Sequence, residues 1–169
     1  RSTLPLMAQG GSVKLAMGGE RGVKGGLVSL RIGSVNVSTM KKKDGEVVDM
    51  AARRHLDICC LQETGWKGEG ARKLGEYKFF WMGCSEGIHG VGLLVADRWI
   101  EKVLEVRHVS ERLMVVRVIV GRTVLNLISA YAPQAGRPRS EKEEFFTLLE
   151  KIVSEIDDGE KLMIGGDLN

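Results

Sequence analysis

The chain has 169 residues, 43% apolar and 28% charged, the balance of one ordinary globular domain. That balance excludes a collagen-like or purely disordered chain, and no stretch approaches the roughly 18 consecutive apolar residues of a membrane span. The net charge of +3 and pI of about 8.8 permit a polyanionic partner without requiring one.

The first residue is Arg and no apolar signal-like run follows it, so the chain reads as a fragment or a processed product. Residues 1–26 hold seven of the 22 Gly, which predicts a flexible tail with the folded part beginning near Leu27. A strand follows over 27–37, then a charged loop over 41–44 and an amphipathic helix over 46–54. The run 57–62 reads as a buried strand, and 64–75 as a polar loop. Within that strand Cys59 and Cys60 point to opposite faces. They read as small buried residues of a reducing, intracellular compartment, not as a disulfide framework.

Strands are then expected over 77–82, 91–96, 102–109, 112–120 and 123–131. Gly121-Arg122 links the last two as a hairpin turn, and the apolar run from Leu113 implies cover on both faces. A Pro- and Gly-containing loop over 132–139 leads to a helix over 140–156, with Ser140 and Glu143 in capping-box spacing. A last strand over 161–164 exits through Gly165-Gly166. The order β-α-β, β meander, α-β implies an α/β (α+β) domain: a mixed, largely antiparallel sheet with outer helices.

Polar residues close the apolar strands: Asn36, Gln62-Glu63, Tyr131, and Asp167 with Asn169. Strand ends that gather at one sheet edge are where loops build sites. This set is rich in oxygen and poor in His and Cys, which suits Mg²⁺ or Mn²⁺ rather than Zn²⁺. Such a metal would neutralise a phosphate, an Asp could orient or deprotonate water, and Asn and Tyr could bond phosphoryl oxygens. Each residue alone also has a plain structural reading. Glu63 can be a solvated loop residue, Asp167 and Asn169 can bond their own turn, and Tyr131 can cap a core edge.

Five motifs occur in order: Ser34-Val-Asn-Val37, Leu61-Gln-Glu-Thr64, Gly90-Val-Gly-Leu-Leu-Val95, Ser129-Ala-Tyr-Ala-Pro-Gln134 and Gly165-Gly-Asp-Leu-Asn169. Together they resemble the endonuclease/exonuclease/phosphatase superfamily of abasic-site endonucleases and DNase I-like enzymes. Trp66-Lys-Gly68 and Arg112-Leu-Met-Val-Val-Arg117 add a resemblance to the endonuclease domain of LINE-type retrotransposons. The chain from Leu27 to Asn169 is also similar to craniofacial development protein 2-like sequences, a group derived from such an element.

The resemblance implies a four-layer α/β sandwich, of which 27–169 would be the N-terminal two-thirds, and Mg²⁺-dependent nicking of DNA. It assigns Glu63 to the metal, and Asn36 to metal and phosphate. Tyr131 would contact the phosphate, Asp167 would act on the attacking water, and Asn169 would hold phosphate and Asp167. Gln134 stands where abasic-site endonucleases commonly have Asn, and no role is carried over to it. The family's closing Ser-Asp-His segment has no match here, since His55, His89 and His108 come too early in the motif order. His55 is expected to end a helix, His89 to sit in a hairpin loop, and His108 to face solvent. The resemblance therefore implies weak or absent turnover by this chain. A non-catalytic nucleic-acid or protein binding remnant, a translated but non-functional relic, and a phosphatase branch of the superfamily are the rival readings. DNA backbone phosphates are the expected partner, no membrane is, and a nuclear location follows if DNA is the target. Lys41-Lys-Lys43 and Trp66-Lys67 read either as nucleic-acid contacts or as a solvated loop and a packed sheet edge.

Overall fold

A computed structural model describes residues 12–18 and 27–169. In chain order the elements are β1 (Ser12–Gly18), β2 (Leu27–Asn36), α1 (Asp44–Arg53), β3 (Ile58–Gln62), β4 (Glu69–Leu74), β5 (Tyr77–Met82) and β6 (Val91–Ala96). Then come α2 (Asp97–Ile100), β7 (Val103–Ser110), β8 (Leu113–Val120), β9 (Thr123–Tyr131), α3 (Arg139–Ser154) and β10 (Lys161–Asp167).

The strands form two sheets where the pattern alone implies one. A six-stranded sheet has the order β1-β2-β3-β6-β5-β4, and a four-stranded sheet the order β10-β9-β8-β7. The β2–β3 and β9–β10 pairs are parallel and the other pairs antiparallel. Side chains alternate along β8 and decide the stacking. Met114, Val116, Val118 and Val120 enter the core shared with the six-stranded sheet, while Leu113 and Val115 pack with α3. Helix α1 adds Val47 and Ala51 to the first core, and α3 adds Phe145, Leu149 and Ile152 to the second. The layers run helix, sheet, sheet, helix, which is the expected four-layer sandwich. Truncating one anchor, as in Phe145→Ala, would cost about 3–5 kcal/mol.

Three local expectations are corrected. Ser12–Gly18, inside the stretch expected as a tail, is a strand paired residue for residue with β2. Its sequence alternates Val13, Leu15 and Met17, the period of a strand; residues 1–11 and 19–26 lie outside those described. The expected loop over 64–75 contains β4, an edge strand whose Glu69, Arg72 and Lys73 are exposed and so mimic loop composition. The capping box at Ser140 does not form. Helix α3 starts one residue earlier with Pro138 as its cap, and Arg139 Nε donates to Glu143 Oε1 at 2.6 Å.

Buried Asp57, just before β3, ties one end of the six-stranded sheet together. Its carboxylate accepts from Arg31 N at 2.6 Å, Trp99 Nε1 at 2.8 Å and Arg98 Nε at 2.8 Å. No helix among the described residues is long and apolar enough to cross a membrane.

Candidate active site

The two parallel strand pairs deliver the polar residues. Asn36, the last residue of β2, is opposite Gln62, the last of β3. Tyr131, the last of β9, is opposite Asp167, the last of β10. Paired residues on a ladder share a face, so Asp167 lies on the same face as Tyr131, toward the other sheet. Glu63 follows β3 with a φ of 56°, a left-handed conformation uncommon for a residue with a side chain. The chain turns there and continues as a short pairing with the start of β6, where Thr64 N donates to Gly90 O and Gly65 N to His89 O. Gly90 has a φ of 119°, and a Cβ on it would stand 2.6 Å from Thr64 Oγ1, so glycine is required.

Glu63 is the hub. Its Oε1 accepts from Asn36 Nδ2 at 2.7 Å and from Tyr131 Oη at 2.8 Å. One carboxylate oxygen thus joins both sheets, while Oε2 has no protein donor among the described residues. Asn36 Oδ1 accepts from Ser38 N at 2.9 Å, which fixes the amide's orientation. Asn169 N donates to Asp167 Oδ1 at 2.9 Å, and Asn169 Nδ2 donates to Ala132 O at 2.8 Å. The last residues of the chain are therefore tied to the loop after Tyr131.

Tyr131 is almost fully buried, with its ring under the Arg112 guanidinium at 5.1 Å. Burial first, then the bond to Glu63 and its negative charge, raise the phenol above its ordinary value. It is a neutral donor throughout the physiological range. Beneath the site Cys59 and Cys60 are buried, as expected. Burial pushes the Cys59 thiol up to about 12 and Cys60 well above its ordinary value, so neither serves as a nucleophile.

A divalent metal fits this donor set in one way. No group of three His, Cys, Asp or Glu side chains converges among the described residues, which is unlike a zinc site. Mg²⁺ commonly takes one or two carboxylates and completes its octahedron with water and substrate phosphate. Glu63 Oε2 and the Asn36 carbonyl meet that habit. The side-chain oxygens of Gln62 and Thr64, flanking Glu63, are buried without a protein partner, leaving polar acceptors that water can serve.

Of the five expected residues, Asn36, Glu63 and Tyr131 are joined directly, and Asp167 and Asn169 are joined through the β9–β10 ladder and the Ala132 carbonyl. Gln134 Nε2 is 3.5 Å from Tyr131 Oη, at the limit of a hydrogen bond. The sequence gives no site role to two neighbours of Tyr131. His89, in its loop, stands with its ring 6.3 Å from that of Tyr131, and Arg112 lies over the phenol and donates to the Tyr131 carbonyl. His55 ends α1 with a φ of 53°, as expected. His108 does not face solvent: it is half-buried opposite Glu69, at 3.8 Å. Trp66 packs edge-on against Phe79 and Trp81, the packed-edge reading.

No protein-family model and no curated protein matches the chain. Solved structures do. An AP endonuclease from Archaeoglobus fulgidus is 22% identical with a TM-score of 0.59, over 82% of this chain and 57% of that one. The endonuclease domain of TRAS1, a telomere-specific non-LTR retrotransposon, is 18% identical with a TM-score of 0.58, over 82% and 59%. D. rerio TDP2 complexed with single-strand DNA product is 16% identical with a TM-score of 0.57, over 77% and 54%. The likeness at these identities establishes the fold, and the matched part spans less than two-thirds of each of those chains.

Proposed function

We propose, for a chain with the fold of the DNase I-like endonuclease/exonuclease/phosphatase superfamily, a domain derived from a LINE-type retrotransposon endonuclease. Its reaction is Mg²⁺-dependent hydrolysis of a DNA phosphodiester in the nicking mode, with the nucleus as its place of action. One observation carries the reading: a single carboxylate oxygen of Glu63 receives hydrogen bonds from both sheets, leaving the other open, and its partner Tyr131 is paired with Asp167 on the β9–β10 ladder. The LINE-type placement rests on the Trp66–Gly68 and Arg112–Arg117 segments, and the likeness to craniofacial development protein 2-like sequences on 27–169 as a whole.

Glu63, with the Asn36 carbonyl beside it, would hold Mg²⁺ or Mn²⁺. When bound, such an ion neutralises phosphate charge and stabilises a leaving oxygen. The residues of the chain do the rest. Tyr131 keeps its proton; its single O–H orients Glu63 in the free site and would turn to a phosphoryl oxygen when phosphate enters. Asp167 accepts a proton from the attacking water as its oxygen bonds to phosphorus and the strand's P–O bond breaks. Asn169 holds Asp167 through its backbone N–H and is itself fixed by Ala132 O. These 169 residues contain no match to the Ser-Asp-His segment, so turnover by them alone is slow.

Bis(p-nitrophenyl) phosphate and p-nitrophenyl phosphate, offered separately with Mg²⁺, test the reaction class. A diesterase releases nitrophenolate from the first and loses that release in Glu63→Gln. Release confined to the second would replace this reading with the phosphatase branch.

A further inference from the structure

Beside the Glu63 loop, Lys41, Gly65, Trp66, Lys67, Arg72 and Trp81 line an open depression of about 340 Å³. It is distinct from the strand-end cluster, because the Glu63 carboxylate turns toward Asn36 and Tyr131. Its floor is ordered by aromatic contacts. Trp66 stands edge-on to Phe79 and Trp81 at 5.1 and 4.9 Å, and Trp81 Nε1 donates to Lys67 O at 3.1 Å. The Arg72 guanidinium lies over the Trp66 ring at 5.3 Å. Stacked in this way, a guanidinium keeps its in-plane N–H fork free to meet a phosphate. Lys41 Nζ donates to Gly87 O at 3.1 Å, which holds the ammonium in place without neutralising it.

None of these three cations has a carboxylate within ion-pair distance among the described residues. Arg98, Arg107, Arg117, Arg137 and Arg139 each do. Three cations without a carboxylate partner therefore share one preorganised floor, contiguous with the loop that carries Glu63.

We propose that this depression is a second phosphate subsite, seating a backbone phosphate of the nucleic-acid strand that flanks the bond to be cut. The inference rests on the nucleic-acid phosphodiesterase reading and adds to it a binding element separate from the strand-end cluster. Lys67 and Arg72 carry the contact, Trp66 orients Arg72, and Lys41 sets the potential at the rim. Each phosphate contact contributes to the salt dependence of binding, with a slope in log K against log salt of about −0.9 per contact on duplex DNA.

The test is fluorescence anisotropy of a labelled duplex oligonucleotide across a KCl series in EDTA, with the full chain and circular dichroism to confirm folding. Arg72→Gln and Lys67→Gln are each expected to reduce the salt slope, and the double variant by about 0.9, the share of one phosphate. Lys67→Gln leaves the Arg72–Trp66 stack in place and guards against a folding artefact. Arg107→Gln, which removes a cation paired with Glu155, is expected to keep the wild-type slope. Unchanged slopes for both Arg72→Gln and Lys67→Gln, from wild type that still nicks DNA, would overturn the subsite and leave the reaction standing. Folded wild type with no salt-dependent DNA binding would overturn both. Binding to phosphatidylserine vesicles that Arg72→Gln abolishes, with the DNA slope unchanged, would assign the depression to lipid and also overturn the proposal.

Discussion

Tyr131→Phe isolates the bond that joins the two sheets at the site. The ring and its Arg112 partner remain, so the loss is the hydroxyl's bond to Glu63 Oε1 at 2.8 Å. A hydrogen bond to a charged group is worth about 1.5–3 kcal/mol. Glu63 is only half-buried and keeps Asn36 Nδ2 at 2.7 Å, so the lower end applies, about 1.5 kcal/mol. For a domain of this size each kcal/mol moves Tm by about 2–4 °C, giving a fall of about 3–6 °C. The pH dependence follows from the raised phenol. A group whose folded value lies above its unfolded one stabilises fully below the unfolded value, here 10, and loses that contribution as pH rises through the folded value. Tyr77 and the buried cysteines shift upward as well, but wild type and variant share them. The stability gap between the two should be flat up to pH 10 and shrink above it. Urea melts at neutral pH and at a series of alkaline values measure this. A Phe variant as stable as wild type at neutral pH, or a gap that widens in alkali, would refute the reasoning.

Other outcomes are expected from the same geometry. Mg²⁺ should raise the Tm of wild type, by the equivalent of about 2.7 kcal/mol at a hundredfold excess over Kd, and EDTA should reverse it. Glu63→Gln should show no such shift in differential scanning calorimetry. Gly166→Ala places a Cβ 1.9 Å from Ala130 O, a backbone atom, so β9 and β10 must separate. A loss above about 3 kcal/mol should appear as a lowered urea midpoint. In a native thiol titration Cys84 should react alone, with Cys59 and Cys60 reacting only after denaturation. Burial pushes Cys84 up, but hydrogen bonds from the backbones of Ile88, His89, Glu86 and Gly87 together bring it below its ordinary value.

The strand-end residues are legible because each closes a buried apolar run, and a change from apolar to polar at a strand end survives any packing arrangement. The runs 58–62 and 113–120 likewise show that both faces are covered. Periodicity is silent on what covers them, so the division into two sheets emerges only when β8 is seen to face one sheet and α3 at once. Edge strands are the other blind spot. β4 carries Glu69, Arg72 and Lys73 toward solvent and reads as loop, yet it supplies the cation stacked on Trp66. His89 is far from Tyr131 in sequence and reaches it through the Gly65–His89 backbone bond, a contact no local pattern encodes.

The most direct test of the Glu63–Asp167 centre is nicking of supercoiled plasmid under protein excess, with Mg²⁺ titrated. Wild type, Glu63→Gln and Asp167→Asn are compared after each is shown to be folded. The account predicts slow conversion to open circles that requires Mg²⁺ and disappears in both variants. Nicking that persists in either variant or in EDTA, or no nicking at all from folded wild type, would contradict it.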